Sequence, residues 1–273
     1  MNPDRSIARR REEPARVIGR VPYRLALAGG WIDQPFVSAL DPSPPGSMVV
    51  VNLEPRFRFM EFSGMATSTR NTIIRLWGDG LPDEDPSVLV REIYREENRD
   101  RSDPSGSQDM VGLVYPGISR LDYDARHEGG IFPVHIESCR DPGTARWLEG
   151  VLNVLPVGPR PDGYDPLEVR RIDPVWVRRL GASGDECFRA ILTRDVRALG
   201  ASLNACMDCW QALLPRTVVH PLIRVDLIAL LRHYQDVYDG AMYSGCGGGY
   251  LIVVSERAVP GSFRIDVRLA GGT

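Results

Sequence analysis

The order of its strand-like and helix-like segments is the feature that most constrains the fold of this chain. Apolar alternation and β-branched residues predict strands over residues 17–28, 46–62, 119–123, 131–136, 152–157, 250–254 and 263–269. Helical periodicity predicts helices over residues 69–77, 86–98, 142–150, 185–199, 202–214 and 221–238. Because strands and helices do not alternate regularly, as they do in βαβ units, the pattern predicts an α+β fold.

Two segments interrupt this pattern. Residues 1–15 hold an arginine run followed directly by glutamates, which predicts a disordered tail. The proline-rich stretch 158–174 predicts a connector. The length of 273 residues allows one large domain or two modest ones.

The chain contains no lysine, so all 33 of its basic residues are arginine. Walker-type phosphate loops, the protein-kinase fold and Schiff-base enzymes all need a lysine amine, and these classes are therefore excluded. A net charge of −3 is too balanced to suggest a nucleic-acid or anionic-membrane partner. The first 20 residues lack the apolar core of a signal peptide, and no apolar run is long enough to span a bilayer, which favours a cytoplasmic protein.

Two glycine-bearing segments have the features of anion sites. Residues 64–69 run into the predicted helix at 69–77, where unpaired N–H groups and the helix dipole favour negative charge. From this segment alone, an ordinary helix N-cap with two spare hydroxyls is the favoured interpretation. Residues 245–249 hold four glycines before a strand, which suits either close passage of the backbone over a ligand or a flexible strand-entry loop.

A charged residue on an apolar strand supplies the third candidate feature. Arg24 lies in such a strand, and a buried guanidinium needs an anionic partner. Asp109 is the natural candidate, because an aspartate beside an arginine stays ionised and can orient a hydroxyl or take its proton. Taken singly, Asp109 is better explained as a helix N-cap. Trp31 is suited to stack on a sugar face or a nucleobase, whereas Trp210 is predicted to pack the second half of the chain.

Four segments, taken in order along the chain, resemble signature motifs of the GHMP kinase superfamily, which includes galactokinase, homoserine kinase and mevalonate kinase. Residues 21–33, 64–69 and 244–249 are similar to its three motifs. The segment Gly106-Ser107-Gln108-Asp109, with Gly112 and residues 116–118, resembles the catalytic-aspartate region of its sugar-kinase branch, the heptose-phosphate and fucose kinases. The resemblance spans residues 21–255.

The resemblance implies a two-domain fold with the active site in the cleft between the domains. An N-terminal catalytic domain would cover residues 16–140, and a ferredoxin-like C-terminal domain residues 141–273. Asp109 would be the catalytic base, steadied by Arg24. The nucleotide phosphates would contact Gly64, Ala66, Thr67, Ser68 and Thr69. The acceptor would contact Gly29, Gly30, Trp31, Asp33, Gln108, Gly247 and Gly248. Ser68 and Glu97, which lies 12 residues before Asp109, would bind magnesium.

The function so implied is a small-molecule kinase that uses ATP and Mg²⁺ to phosphorylate a hydroxyl of a sugar or sugar-like metabolite, as a monomer or homodimer. One departure leaves alternatives open. Only 33 residues separate Gly30 from Gly64, about half or less of the interval usual in this family, so the N-terminal half is shortened. The alternatives are a GHMP-fold protein without kinase activity that binds a metabolite or a partner, or one that uses a different phosphate donor.

Overall fold

Two antiparallel sheets form the framework of the structure, a computed structural model that describes residues 20–56, 58–101 and 104–270. The first sheet has the order β1-β2-β3-β4, formed by Tyr23–Ala26, Gly46–Leu53, Ile118–Tyr123 and His135–Cys139. The second has the order β5-β7-β6, with β5 at Leu152–Gly158, β6 at Gly240–Gly245 and β7 at Gly248–Val254. The predicted tail at residues 1–15 lies outside the described residues.

Eight α-helices occur in the described part of the chain. They are α1 (Pro35–Ser38), α2 (Thr67–Trp77), α3 (Pro86–Asn98), α4 (Gln108–Val114), α5 (Pro142–Val151), α6 (Pro174–Thr193), α7 (Val196–Leu213) and α8 (Leu227–Val237). Helix α6 begins at Pro174, not at residue 185 as predicted. Proline at the first helical position, after the N-cap Asp173, is a helix-start signal that the proline-rich connector masked. No described helix is long and apolar enough to cross a membrane.

Most long helices start in the same way. An aspartate N-cap accepts a backbone N–H at the start of five of them, through Asp85, Asp141, Asp173, Asp195 and Asp226. Helix α2 differs, because its N-cap is Ala66, which lies in the left-handed region at φ 55° and supplies no side-chain cap. The N-terminus of α2 is therefore left without the acceptor that its neighbours have.

The two halves of the chain share one core. Every residue of β2 is buried, and α6 from the second half packs on this strand so closely that a Cβ on Gly184 would lie 2.0 Å from the Ser47 carbonyl oxygen. The buried apolar residues form one continuous cluster across both sheets. The predicted domain boundary falls at the exposed residues Arg140 and Asp141, between β4 and α5, and stays a prediction.

The predicted strand at residues 263–269 is wrong, since this segment forms two isolated bridges instead. Phe263 pairs with Val154 of β5, and Val267 pairs with Leu53 of β2, so the segment joins the two sheets. With the Phe263 bridge beside β5, the second sheet has the strand order of a ferredoxin-like sheet in which a single bridge replaces the fourth strand. The structure combines two antiparallel sheets with helices that do not alternate with the strands in regular βαβ units. This arrangement confirms the α+β class.

Candidate active site

A groove of about 310 Å³ brings together residues from distant parts of the chain. Its lining includes Arg24 of β1, Asp33 after the first glycine turn, Asp109 of α4 and Gly245 at the end of β6. These residues come from three of the four segments that the sequence singled out, and Gly64 brings in the remaining one. The lining of the groove also includes Gly30, Trp31, Gly64, Arg101, Gln108, Arg160, Trp210 and Cys246.

An ion pair between Arg24 and Asp109 lies on the groove wall. The Arg24 side chain is 5% exposed, and its Nη2 donates to Asp109 Oδ1 while Nη1 donates to the Gly64 carbonyl oxygen at 3.3 Å. Burial lowers the pKa of Arg24 to about 10, which leaves the guanidinium charged at neutral pH. The N-cap of α4 is Ser107, so the N-cap interpretation of Asp109 is wrong and the predicted ion pair is present.

Gly112 explains how the arginine reaches its partner. A Cβ at Gly112 would lie 2.2 Å from Arg24 Cγ, so only a glycine on α4 lets the arginine stem pass across the helix. The glycine three residues after Asp109 is thus part of the geometry that sets the ion pair.

Asp33 is fully buried beside this pair. Its Oδ1 accepts from Gln108 Nε2 at 3.3 Å, whereas its Oδ2 has no hydrogen-bond partner. Burial raises the pKa of Asp33 to about 6, against the lowering effect of the Gln108 hydrogen bonds and the Arg24 charge. A carboxylate with an unpaired oxygen on a groove wall is suited to accept a hydroxyl from a ligand.

The buried carboxylate makes a prediction about stability. An acid whose pKa is raised by folding binds more protons in the folded state, so its contribution to the free energy of unfolding falls as pH rises from about 4 to about 6. We expect Asp33→Asn and the wild type to be equally stable near pH 4. At pH 7 the variant should be more stable by on the order of 2 kcal/mol. Urea unfolding at both pH values measures this difference, and a difference independent of pH would contradict the assignment.

The start of α2 opens into a second, adjacent pocket of about 260 Å³. Ser68 is exposed there, and its hydroxyl donates to Glu97 Oε1 at 3.4 Å. Thr67 and Thr69, its neighbours in the predicted phosphate segment, are buried. Arg101 lines both this pocket and the larger groove, so the two cavities adjoin.

The predicted magnesium ligands Ser68 and Glu97 lie together in this second pocket. The Glu97 side chain is 6% exposed, and its Oε2 has no hydrogen-bond partner. Its Oε1 lies 3.5 Å from Arg101 Nη2. One carboxylate and one hydroxyl are donors that suit Mg²⁺, which completes its shell with water and phosphate oxygens. The described residues include no cluster of three or more His, Cys, Asp or Glu that could hold a metal by itself.

The glycines of residues 245–249 lie close to another backbone segment. A Cβ on Gly64, whose φ is 79°, would lie 2.3 Å from the Ser244 carbonyl oxygen, and one on Gly249 would lie 2.2 Å from that of Ser63. Gly247 is covered by the Tyr164 ring. The glycines therefore let two loops pack together, and of the four only Gly245 lines the groove.

Three predicted acceptor residues lie outside the groove lining. Gly247 lies in the turn before β7, Gly248 is the first residue of β7, and Gly29 packs against the backbone of Ser47 and Met48. The other predicted acceptor residues, Gly30, Trp31, Asp33 and Gln108, all line the groove.

Sequence reasoning missed several residues of the groove. Trp210 of α7 forms part of the wall, donates its indole N–H to the Gly30 carbonyl oxygen at 3.2 Å and meets Trp31 edge-on at 6.3 Å between ring centroids. Trp31 itself has a φ of 85°, which is uncommon for a bulky residue and frequent at functional sites. Arg160 reaches the groove from the connector. Neither Trp210 nor Arg160 has a local pattern that marks it.

No protein-family model matches the chain, and no curated protein matches it by sequence. Solved structures do match. A D-glycero-D-manno-heptose 1-phosphate kinase from Bacteriodes thetaiotaomicron is 12% identical with a TM-score of 0.53, and the match covers 91% of this chain and 96% of that one.

Two further solved structures match over a similar extent. Lactococcus lactis galactokinase complexed with galactose is 12% identical with a TM-score of 0.56, covering 92% of this chain and 90% of that one. Streptococcus pneumoniae phosphomevalonate kinase, in complex with phosphomevalonate and AMPPNP, is 10% identical with a TM-score of 0.56, covering 87% and 92%. The likeness extends over nearly the whole chain, and the fold of this protein is that of the GHMP kinases.

Proposed function

We propose that this protein is a small-molecule kinase that transfers the terminal phosphoryl group of ATP to a hydroxyl of a sugar or sugar-like metabolite. The observation that carries the proposal is the Arg24–Asp109 ion pair, placed on a groove that adjoins the uncapped start of α2. The GHMP-kinase fold supports it, since the solved structures of this fold include a galactokinase with galactose and a phosphomevalonate kinase with AMPPNP.

The acceptor binds in the larger groove. The unpaired Oδ2 of Asp33 accepts one of its hydroxyls, and Gln108, whose Oε1 also has no partner, is placed to accept a second. Trp31, beside the turn at Gly29 and Gly30, covers its apolar face. These groups hold the reacting hydroxyl in one orientation toward Asp109, which is the main contribution that a kinase makes through binding.

Asp109 takes the proton of the reacting hydroxyl. Its side chain is 29% exposed and lines the groove, where a carboxylate can take a proton from a bound hydroxyl. Arg24 holds the carboxylate in place and adds positive charge where the phosphoryl group passes. Both residues act on the same hydroxyl and phosphoryl oxygens, which makes them the catalytic pair.

The donor phosphates bind at the start of α2. The segment from Gly64 through Ala66, Thr67, Ser68 and Thr69 presents the N-terminal backbone N–H groups, and the helix dipole stabilises the negative charge. Glu97 and Ser68 would hold Mg²⁺, which neutralises charge on the phosphates when it is bound. Gly245 and Ser244 close the groove on the side of the second sheet.

A panel screen tests the proposal. The purified protein is incubated with ATP, Mg²⁺ and each of a set of sugars, nucleosides and amino alcohols, and release of ADP is followed with a coupled assay. Acceptor-dependent release of ADP for at least one member is the expected result. Its absence throughout the panel contradicts the proposal.

One observation favours a second candidate, a metabolite- or partner-binding protein without kinase activity. Between Gly30 and Gly64 the described residues form one short helix, α1, and one strand, β2. This short segment leaves few residues to enclose a nucleobase. The same observation is compatible with a kinase that uses a phosphate donor other than ATP. A protein of this kind binds a sugar in the larger groove and no nucleoside triphosphate at α2.

A further inference from the structure

The acceptor-side residues are carried by one turn that leaves the first sheet. Residues 28–33, named here the acceptor turn, include Trp31 and Asp33, which line the larger groove. Pairing with β2 continues past β1 as far as Ala28, whose carbonyl oxygen accepts a backbone N–H of β2 at 3.0 Å. At Gly29 the chain leaves the sheet, so the buried N–H of this residue needs an acceptor from another element.

Two side chains of α7 bind the backbone of the acceptor turn. The Gly29 N–H donates to Cys206 Sγ at 3.3 Å, and the Trp210 indole N–H donates to the Gly30 carbonyl oxygen at 3.2 Å. Both bonds are buried. Cys206 and Trp210 are four residues apart and therefore lie on the same face of the helix. One helix face thus supplies an acceptor and a donor to two successive residues of the turn.

The Cys206 thiol acts on the groove only through this turn. It is fully buried and does not line the groove. Burial raises its pKa to about 11, so the sulfur accepts the Gly29 N–H as a neutral thiol at neutral pH. Sulfur is a weak acceptor, but a buried N–H with no partner at all is costly. The bond from Gly29 therefore matters more than its strength in isolation suggests.

The backbone of the acceptor turn has a shape that needs support. The angle φ is 91° at Gly29 and 85° at Trp31, and the second value is rare for a bulky side chain. Such conformations persist only where the surroundings hold them. Gly29 also packs on β2, since a Cβ there would lie 2.2 Å from the Ser47 carbonyl oxygen. The turn is therefore held by contacts with both β2 and α7.

The Trp210 ring also contacts the turn. A Cβ on Gly30 would lie 3.1 Å from Trp210 Cζ2, and the Trp31 ring meets the Trp210 ring edge-on, with 6.3 Å between the centroids. The edge-on contact sets the direction of the Trp31 ring on the groove wall. Neither Cys206 nor Trp210 lines the smaller pocket at the start of α2. The contacts of α7 with the turn thus belong to the acceptor side.

We propose that Cys206 and Trp210 are positioning residues that hold the acceptor turn in the shape that binds the acceptor. This inference rests on the proposed function for the identity of the acceptor side, and on the contacts of α7 for the holding of the turn. Without the sulfur, the Gly29 N–H is satisfied only when the turn opens to water, which displaces Trp31 and Asp33. The apparent affinity for the acceptor then falls with the fraction of molecules whose turn is closed.

Two alanine variants of α7 form a matched test. Cys206→Ala and Cys209→Ala each delete one fully buried thiol from the same helix, but of these two thiols only that of Cys206 bonds to the acceptor turn. In steady-state kinetics, Cys206→Ala should raise the KM for the acceptor by about 5- to 50-fold and leave the KM for ATP unchanged. Cys206→Ser, whose hydroxyl accepts the N–H, should recover most of the loss. Cys209→Ala should keep both KM values.

Amide hydrogen exchange of the protein without substrates tests the holding of the turn directly. The peptide that spans residues 27–33 is followed by mass spectrometry. Its exchange should be about ten-fold or more faster in Cys206→Ala than in the wild type or Cys209→Ala. Trp210→Phe is a second variant, which keeps an aromatic ring but loses the bond to Gly30, and it should change the exchange in the same direction.

Three results would overturn the inference. The first is an equal effect of Cys206→Ala and Cys209→Ala, which would mean that the thiols only fill the core. The second is unchanged exchange of residues 27–33 in both Cys206→Ala and Trp210→Phe. The third is a rise in the KM for ATP as large as that for the acceptor. If the wild type turns over no acceptor, the kinase proposal fails, and the exchange comparison alone decides whether α7 holds the turn.

Discussion

Asp109→Asn is expected to lower the rate of phosphoryl transfer by about 10²- to 10⁴-fold while the fold is kept. Asparagine has nearly the shape of aspartate and still accepts from Arg24 through its amide oxygen, but it cannot take the proton of the acceptor hydroxyl. The turnover number measured with the best acceptor of the panel gives the effect. Circular dichroism and the melting temperature report whether the fold is intact.

Asp266→Asn is a matched control for this variant. Asp266 has a side-chain exposure of 32%, close to the 29% of Asp109, and it also pairs with an arginine, Arg56. It does not line the groove. The control should turn over like the wild type. Undiminished turnover of Asp109→Asn would remove Asp109 from the reaction.

Gly64→Ala is expected to cause a large loss of stability, about 3 kcal/mol or more. The added methyl group would lie 2.3 Å from the Ser244 carbonyl oxygen, and φ at this position is 79°. The two loops that form one side of the groove would have to separate to admit it. Urea unfolding monitored by tryptophan fluorescence measures the change in the free energy of unfolding.

Gly78→Ala separates the two causes. Gly78 also has a φ of 79°, but a Cβ there would meet no atom within 4 Å. This variant carries backbone strain without a steric contact, about 1 to 3 kcal/mol, because Gly78 has φ 79° and ψ −124°, a conformation that other residues rarely adopt. A clearly larger loss in Gly64→Ala confirms that the glycines are needed for packing between the loops. Equal losses would mean that the contact with Ser244 contributes nothing.

The sequence predicted best those features that depend on neighbours along the chain. Helix α3 runs over Pro86–Asn98 as predicted, because its Asp85 cap, its proline at the first position and its apolar face are all local signals. The ion pair of Arg24 with Asp109 was predictable for a different reason, namely that a charge on an apolar strand requires a partner.

Features that depend on distant contacts were not predictable. Strand β6 was missed because its residues, Gly240–Gly245, have a weak strand pattern and are held by pairing with β7. Residues 263–269 have a strand pattern but pair only at Phe263 and Val267, one with each sheet. Trp210 and Arg160 enter the groove only because α7 and the connector pass beside it, and nothing in their own segments indicates this.

Calorimetric titration with ATP in the presence and absence of Mg²⁺ tests most directly whether the start of α2 is a donor site. We expect the wild type to bind ATP and Mg²⁺ to strengthen this binding. Glu97→Gln should lose most of the strengthening and keep the binding seen without metal. If none of the four nucleoside triphosphates binds, with or without Mg²⁺, the start of α2 is not a donor site.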